Sequence, residues 1–179
     1  MQQIEIRLSG SGGQGILLAS HILADALSME GWKIAQSQSY EPTSRGGLSR
    51  SDLVAGEITA DYPLASALNY LVILDPVAIH ASDAVLQQSS VILIDESAGD
   101  GLDSSRQGQA RILPLLETAR ALNDIRSANM VALGALVALA RVCRPETLDE
   151  AIRSGAPSKL VPSMIDAVHA GQALIQAVA

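Results

Sequence analysis

The segment Gly10-Ser11-Gly12-Gly13-Gln14-Gly15 constrains this chain more than any other part of it. Just before it, residues 4–9 alternate apolar and polar side chains, which is the period of a strand. Just after it, apolar residues recur at helical spacing over residues 16–30, and Gly31 is a stop signal. A strand that turns on glycines straight into a helix opens an α/β unit. Glycine is needed where the backbone turns sharply or touches a ligand. The N–H groups at a helix start, with the helix dipole behind them, favour a phosphate or carboxylate. In this strand-and-helix context the G-x-G-x-x-G spacing marks a turn suited to an anion; the plainer alternative is a tight turn that only lets helix pack on strand.

A dinucleotide is the first ligand to consider. A nicotinamide-binding domain carries Asp or Glu about 20 residues further on, at the end of its second strand, for the ribose hydroxyls. The second predicted strand covers residues 32–38 and ends in Gln-Ser-Gln, with no carboxylate. That argues against NAD, although Arg45 leaves a ribose 2′-phosphate open as a partner.

The loop over residues 39–49 then leaves what should be the carboxyl end of a strand, the edge at which open α/β sheets bind ligands. Arg45 and Arg50 flank Gly46-Gly47 in an otherwise acidic chain, and arginine clamps phosphate or carboxylate bidentately. Tyr40, Pro42 and the glycines give the loop a defined shape, so a polar contact with ligand or partner is favoured over a merely solvated loop.

Further strands are expected at residues 51–57, 71–74, 91–94 and 110–113, the middle two being short apolar runs of the kind buried in parallel sheets. Residues 98–109 are polar and glycine-rich and read as an exposed loop. Helices are expected over 115–123, 129–142, 145–153 and 159–178. The pattern predicts one domain over residues 1–179: a three-layer α/β/α fold with a mostly parallel or mixed sheet and a helical C-terminal part. The core must be aliphatic, because aromatic residues make up only 2% of the chain and there is no Phe. Residues 129–140 are apolar on all sides, so that helix is either fully buried or faces a partner.

A net charge of −7 with few aromatics argues against nucleic-acid binding and against a polybasic membrane contact. The longest apolar run, residues 130–140, is too short to span a bilayer, and no signal peptide is evident, so a cytoplasmic protein is expected. Cys143 is the only cysteine, so neither an internal disulfide nor an iron–sulfur cluster is expected in this chain. His21, His80 and His169 lie far apart without ligand spacing, and no metal site is expected. Asp75, before Pro76, reads as a helix N-cap, and Asp95 similarly. Ser9, Ser11 and Ser44 lack His–Asp partners for a hydrolase triad.

Taken together, Gly10-Ser11-Gly12-Gly13-Gln14-Gly15-Ile16, Ser39-Tyr40-Glu41-Pro42-Thr43-Ser44-Arg45-Gly46-Gly47 and Ser49-Arg50-Ser51-Asp52-Leu53-Val54 resemble the gamma subunit of 2-oxoacid:ferredoxin oxidoreductases, of the 2-oxoglutarate or pyruvate/ketoisovalerate type. Tyr62-Pro63, Asp75-Pro76-Val77-Ala78 and the run from Asn129 to Leu136 extend the resemblance in order, from Ile4 to about Gly171. The resemblance implies oxidative decarboxylation of a 2-oxoacid with coenzyme A, giving acyl-CoA, carbon dioxide and reduced ferredoxin. It implies alpha and beta partner subunits, a ferredoxin-like delta subunit where the complex has one, and ferredoxin as electron acceptor. Thiamine diphosphate, magnesium and iron–sulfur clusters would sit on those partners, and the isolated chain would be inactive. The gamma chain would line the coenzyme A side, with Gly10, Gly12, Gly13, Gln14, Gly15, Ser39, Tyr40, Arg45, Gly46, Gly47 and Arg50 as binding residues and none catalytic.

Gly99-Asp100-Gly101 with Asn123 and Asn129 imitates a thiamine diphosphate motif, but Asn123 is followed by Asp124 rather than a second Asn, so a polar loop is the better reading. Two rival functions remain: a free-standing nucleotide-binding oxidoreductase and a nucleotide-sensing module. Partner chains bearing thiamine and cluster motifs would discriminate against both.

Overall fold

The computed structural model describes residues 3–41, 46–60 and 62–178. Among the described residues six strands, β1 (Gln3–Ser11), β2 (Lys33–Tyr40), β3 (Leu48–Gly56), β4 (Leu68–Ile73), β5 (Leu86–Asp95) and β6 (Ala110–Leu113), form one sheet in the order β2-β3-β1-β4-β5-β6. β1, β4, β5 and β6 run parallel. β3 is antiparallel to both β1 and β2, so the sheet is mixed. The cause is local. The chain returns from β2 to β3 across residues 41–47 alone, and so short a connection permits only an antiparallel neighbour.

Helix α1 (Ile16–Met29) follows β1, and the later helices are α2 (Glu96–Gly99), α3 (Leu115–Ala121), α4 (Ala128–Ala140), α5 (Pro145–Gly155) and α6 (Val161–Val178). Ile6, Leu8, Leu53, Val72 and Leu93 point from the sheet into a large aliphatic core shared with α1, α3, α4, α5 and α6. The opposite face buries Leu71, Ile73, Ile92 and Ile94 under Ala78, Ile79, Ala98 and Leu102.

Two expectations need correction. β2 runs on through Tyr40 and β3 begins at Leu48, so Ser39, Tyr40, Ser49 and Arg50 are strand residues, paired Ser39 with Arg50 and Tyr40 with Ser49. Residues 98–109 are not an open loop. Asp95 caps α2 by accepting from the Ser97 N–H at 2.9 Å, a 3-10 helix spans Ser104–Gln109, and Ala98 and Leu102 are buried. The polar composition hid two apolar anchors that fill the second face.

The apolar helix α4 is buried within the chain: each residue from Ala128 to Val137 is buried, with α6, α1, α3, α5 and β4 against it. α4 and α6 cross closely because each has a glycine at the crossing. A side-chain carbon on Gly134 would run into the Val168 carbonyl, and one on Gly171 into the Val131 carbonyl.

The charged residues of β1, Glu5 and Arg7, are buried. Glu5 accepts from the N–H groups of Ser66 and Ala67 at 2.6 and 2.7 Å. Arg7 makes a bidentate pair with Asp52 at 2.6 and 2.8 Å and donates to Ser82 Oγ at 3.1 Å. Asp52 also accepts from the Ala65 N–H at 3.0 Å. These buried charges hold residues 65–67 onto the face of the sheet opposite α1.

Candidate functional site

The glycine turn lies where β1 ends between β3 and β4. Its glycines have different local reasons. Gly10 is still in the strand, and a side-chain carbon there would collide with the Gln14 amide oxygen. Gly13 takes φ 98° with nothing within 4 Å of a Cβ position, so the backbone alone requires glycine and the space beside it is open. Gly15 caps α1 in the left-handed region at φ 72°, packed against Asn129.

Gln14 braces the turn with its side chain. Its Oε1 accepts from the Ser11 N–H at 2.8 Å, and its Nε2 donates to the Leu74 carbonyl at 3.2 Å, bridging the crevice between the ends of β1 and β4. α1 has no side-chain cap and no acidic residue in its first turn. The N–H groups of Gly13, Gly15 and Ile16 find no acceptor among the described residues. A helix start in that condition presents unpaired donors with partial positive charge.

The hairpin from β2 to β3 reaches this turn directly. The Gly12 N–H donates to the Gly47 carbonyl at 2.8 Å, and the Glu41 N–H to the Leu48 carbonyl at 2.9 Å closes the hairpin behind it. Gly46 sits at φ 76°, which favours glycine. The two segments singled out in the sequence are therefore in contact, at the carboxyl end of β1. Arg45, with Pro42, Thr43 and Ser44, lies outside the described residues.

Arg50, expected as a ligand contact at this edge, is a β3 residue. It pairs across the ladder with Ser9, shares the Asp52 side of β3 and so faces away from α1, and its recorded bond goes to the Ala81 carbonyl at 3.5 Å. No bond joins it to the glycine turn among the described residues. Next to it the Ser9 hydroxyl is fully buried with no partner among the described residues.

Two supporting groups escaped the sequence reading. Gln36 Nε2 donates to Ser20 Oγ at 3.0 Å, and Ser20 meets Ser51 Oγ at 2.8 Å, a buried polar tie between α1 and the hairpin strands. Asn129 Nδ2 donates to the Gly15 carbonyl at 2.9 Å. Neither has a sequence signature, since each joins residues far apart in the chain.

The remaining chemical candidates resolve into structural roles. Asp75 accepts from the Val77 N–H at 3.0 Å as the expected cap. Gly99 and Gly101 give room to Ile112 and Ile79, and Asn129 is engaged at Gly15, so the thiamine-like residues do not form a site together. Burial, reinforced by the Glu30 charge, pushes the Cys143 thiol up to about 12, which suits a packed thiol rather than a nucleophile. Burial alone would raise the Glu30 carboxyl. Bonds from the Arg144 N–H, Thr147 and the Arg144 guanidinium outweigh it and hold that carboxyl below its usual range. His80, Asp83 and Asp103 bring ligand atoms within 4.8 Å of one another at the exposed surface, where His80 is already bonded to Asp83 at 3.0 Å. Among the described residues no helix is long and apolar enough to cross a membrane.

Residues 5–174 match the family described as pyruvate ferredoxin/flavodoxin oxidoreductase. The chain belongs to this family. It is 33% identical over 153 residues to the 2-oxoglutarate synthase subunit KorC of Archaeoglobus fulgidus, covering 85% of this chain and 78% of that one. The keto/oxoacid ferredoxin oxidoreductase gamma subunit from Geobacter sulfurreducens is 32% identical, with a TM-score of 0.85 over 99% of this chain and 98% of that one. The 2-oxoglutarate:ferredoxin oxidoreductase of Magnetococcus marinus repeats the fold with a TM-score of 0.86 at 23% identity, covering 100% of this chain and 32% of that one. The chain is thus a subunit of a multi-subunit 2-oxoacid:ferredoxin oxidoreductase, an oxidoreductase through its complex.

Proposed function

We propose that residues 1–179 form one gamma-type domain that supplies part of the coenzyme A site of the complex and holds none of its redox cofactors. The observation that carries this reading is the Gly12–Gly47 hydrogen bond, which joins the open helix start and the hairpin into one polar edge. Coenzyme A carries a pyrophosphate and a 3′-phosphate, and free N–H groups at a helix start are suited to such anions. The Magnetococcus marinus enzyme, of which this chain covers 32%, was solved with 2-oxoglutarate, coenzyme A and succinyl-CoA bound, which supports coenzyme A as a ligand of an enzyme that contains this fold.

On this reading Gly12, Gly13 and Gly15 bring the backbone to the phosphates, Gly10 and Gln14 brace the turn, and Ser39, Tyr40, Gly46 and Gly47 shape the hairpin. Arg45 is the side-chain phosphate partner. Arg50 fixes the hairpin against the segment carrying Ala81. Thiamine diphosphate, magnesium and the iron–sulfur clusters belong to the alpha, beta and, where present, delta subunits, which pass electrons to ferredoxin in a cytoplasmic assembly. The single buried cysteine offers no cluster ligand set, in keeping with that division.

The test is steady-state kinetics of the complex assembled with its partner chains. Gly13→Val puts a branched side chain beside the turn and, at φ 98°, also strains its backbone, so it is read only in complexes shown to assemble. It should raise the Michaelis constant for coenzyme A by about tenfold or more, equivalent to about 1.4 kcal/mol, and leave that for the 2-oxoacid unchanged. An unaltered coenzyme A constant in a correctly assembled complex would overturn the reading.

A further inference from the structure

We infer that Asn129 is a positioning residue for coenzyme A: from inside the fold it sets the direction in which the first N–H of α1 points. This rests on the reading above, that the glycine turn receives a phosphate.

α4 carries one polar residue among thirteen, and that residue is Asn129, only 4% exposed. An apolar side chain would suit such a site better unless the amide were used. It is used at both ends. Nδ2 donates to the Gly15 carbonyl at 2.9 Å, and Oδ1 accepts from the Met130 N–H at 2.8 Å. These two bonds fix the orientation of the amide, because a flipped group would set oxygen against oxygen at Gly15.

The Gly15 carbonyl also accepts from the Ala19 N–H at 3.1 Å, so two donors hold it toward the protein interior. A trans peptide is planar, with its C=O and the next N–H pointing opposite ways. Holding the Gly15 carbonyl inward therefore turns the Ile16 N–H outward from the start of α1, the side from which an anion approaches. Gly15 needs this support because it sits in the left-handed region at φ 72°, and no side-chain cap fixes the start of the helix. The fit is close: a side-chain carbon on Gly15 would collide with the Asn129 amide nitrogen.

The experiment compares Asn129→Asp and Asn129→Ala with Gly13→Val in the assembled complex. Asn129→Asp keeps the volume and the acceptor for Met130 but replaces the donor with an acceptor facing the Gly15 carbonyl. Asn129→Ala removes the donor without that repulsion, and carries the same test should the Asp variant fail to assemble. The expected result is a rise in the coenzyme A Michaelis constant of about tenfold, or about 1.4 kcal/mol, with kcat at saturating coenzyme A and the 2-oxoacid constant unchanged. Equal losses in kcat and both constants, or a loss of assembly in both Asn129 variants, would mark Asn129 as merely structural and overturn the inference. If Gly13→Val raises the coenzyme A constant while both Asn129 variants leave it unmoved, the inference fails and the functional reading stands. If all three variants leave it unmoved, the functional reading falls and this inference with it.

Discussion

Replacing Asp52 with Ala should destabilise the chain severely, although Asp52 takes no part in the proposed site. Asp52 is 3% exposed and accepts from Arg7 Nε, Arg7 Nη2 and the Ala65 N–H. Truncation strips these three donors of their acceptor and leaves a buried guanidinium with Ser82 Oγ as its remaining bonded partner among the described residues. Removing one member of a buried ion pair costs about 3–5 kcal/mol, because the surviving charge is left uncompensated. Trp32, the only tryptophan, packs against the main core between α1 and β2 and gives a fluorescence signal for unfolding in urea. With a slope of about 2 kcal/mol per molar, that loss moves the urea midpoint down by about 1.5–2.5 M. The control is Arg7→Met with Asp52→Leu, which removes both charges at similar volume and should be near neutral, as apolar replacements of buried pairs often are. A midpoint shift for Asp52→Ala below about 0.5 M, or a double variant as unstable as the single one, would refute the reasoning.

Gly134→Ala should lower stability by about 1–3 kcal/mol as an overpacking change at the α4–α6 crossing, read by the same urea titration; an unchanged midpoint would mean that the helices can separate freely. Cys143 should resist iodoacetamide at pH 8 in the folded chain and react once urea unfolds it, since its thiol is pushed up to about 12; fast labelling of the folded protein would contradict its burial. The folded state keeps a proton that the unfolded thiol, with an ordinary value of 9.0, would release. Stability should therefore fall as pH rises from about 9 toward about 12, and Cys143→Ser should flatten that part of the profile.

What was legible in the sequence was whatever depends on neighbours in the chain. The strand–glycine–helix run is local, and so is the Asp75-Pro76 cap, and both stand where the pattern put them. The ends of β2 and β3 were misplaced because Ser39, Tyr40 and Arg50 read as loop residues by composition, while cross-strand pairing keeps them extended. Arg50 is a β3 residue that shares the face of Asp52, opposite that of Leu53 and α1, a parity that composition does not reveal. The burial of Glu5 and Arg7 was invisible for a related reason, because their partners lie in residues 52–82 and alternation alone suggests a solvated face. The two readings of α4, buried or facing a neighbour, were decided by Gly134 and Gly171, whose pairing across the chain no periodicity reveals.

The bond from Asn129 to Gly15 spans 114 positions. During synthesis, β1, the turn and α1 leave the ribosome long before α4, so the motif exists as sequence well before the helix cap has its support. Contacts of such separation form late, after the entropy of closing the intervening chain has been met. A fragment ending before residue 128 would contain every glycine of the motif and still lack the group that sets the direction of its first donor. On the proposed function, receiving an anion there would report that the C-terminal helices have docked, and a chain that has not finished folding would not do so.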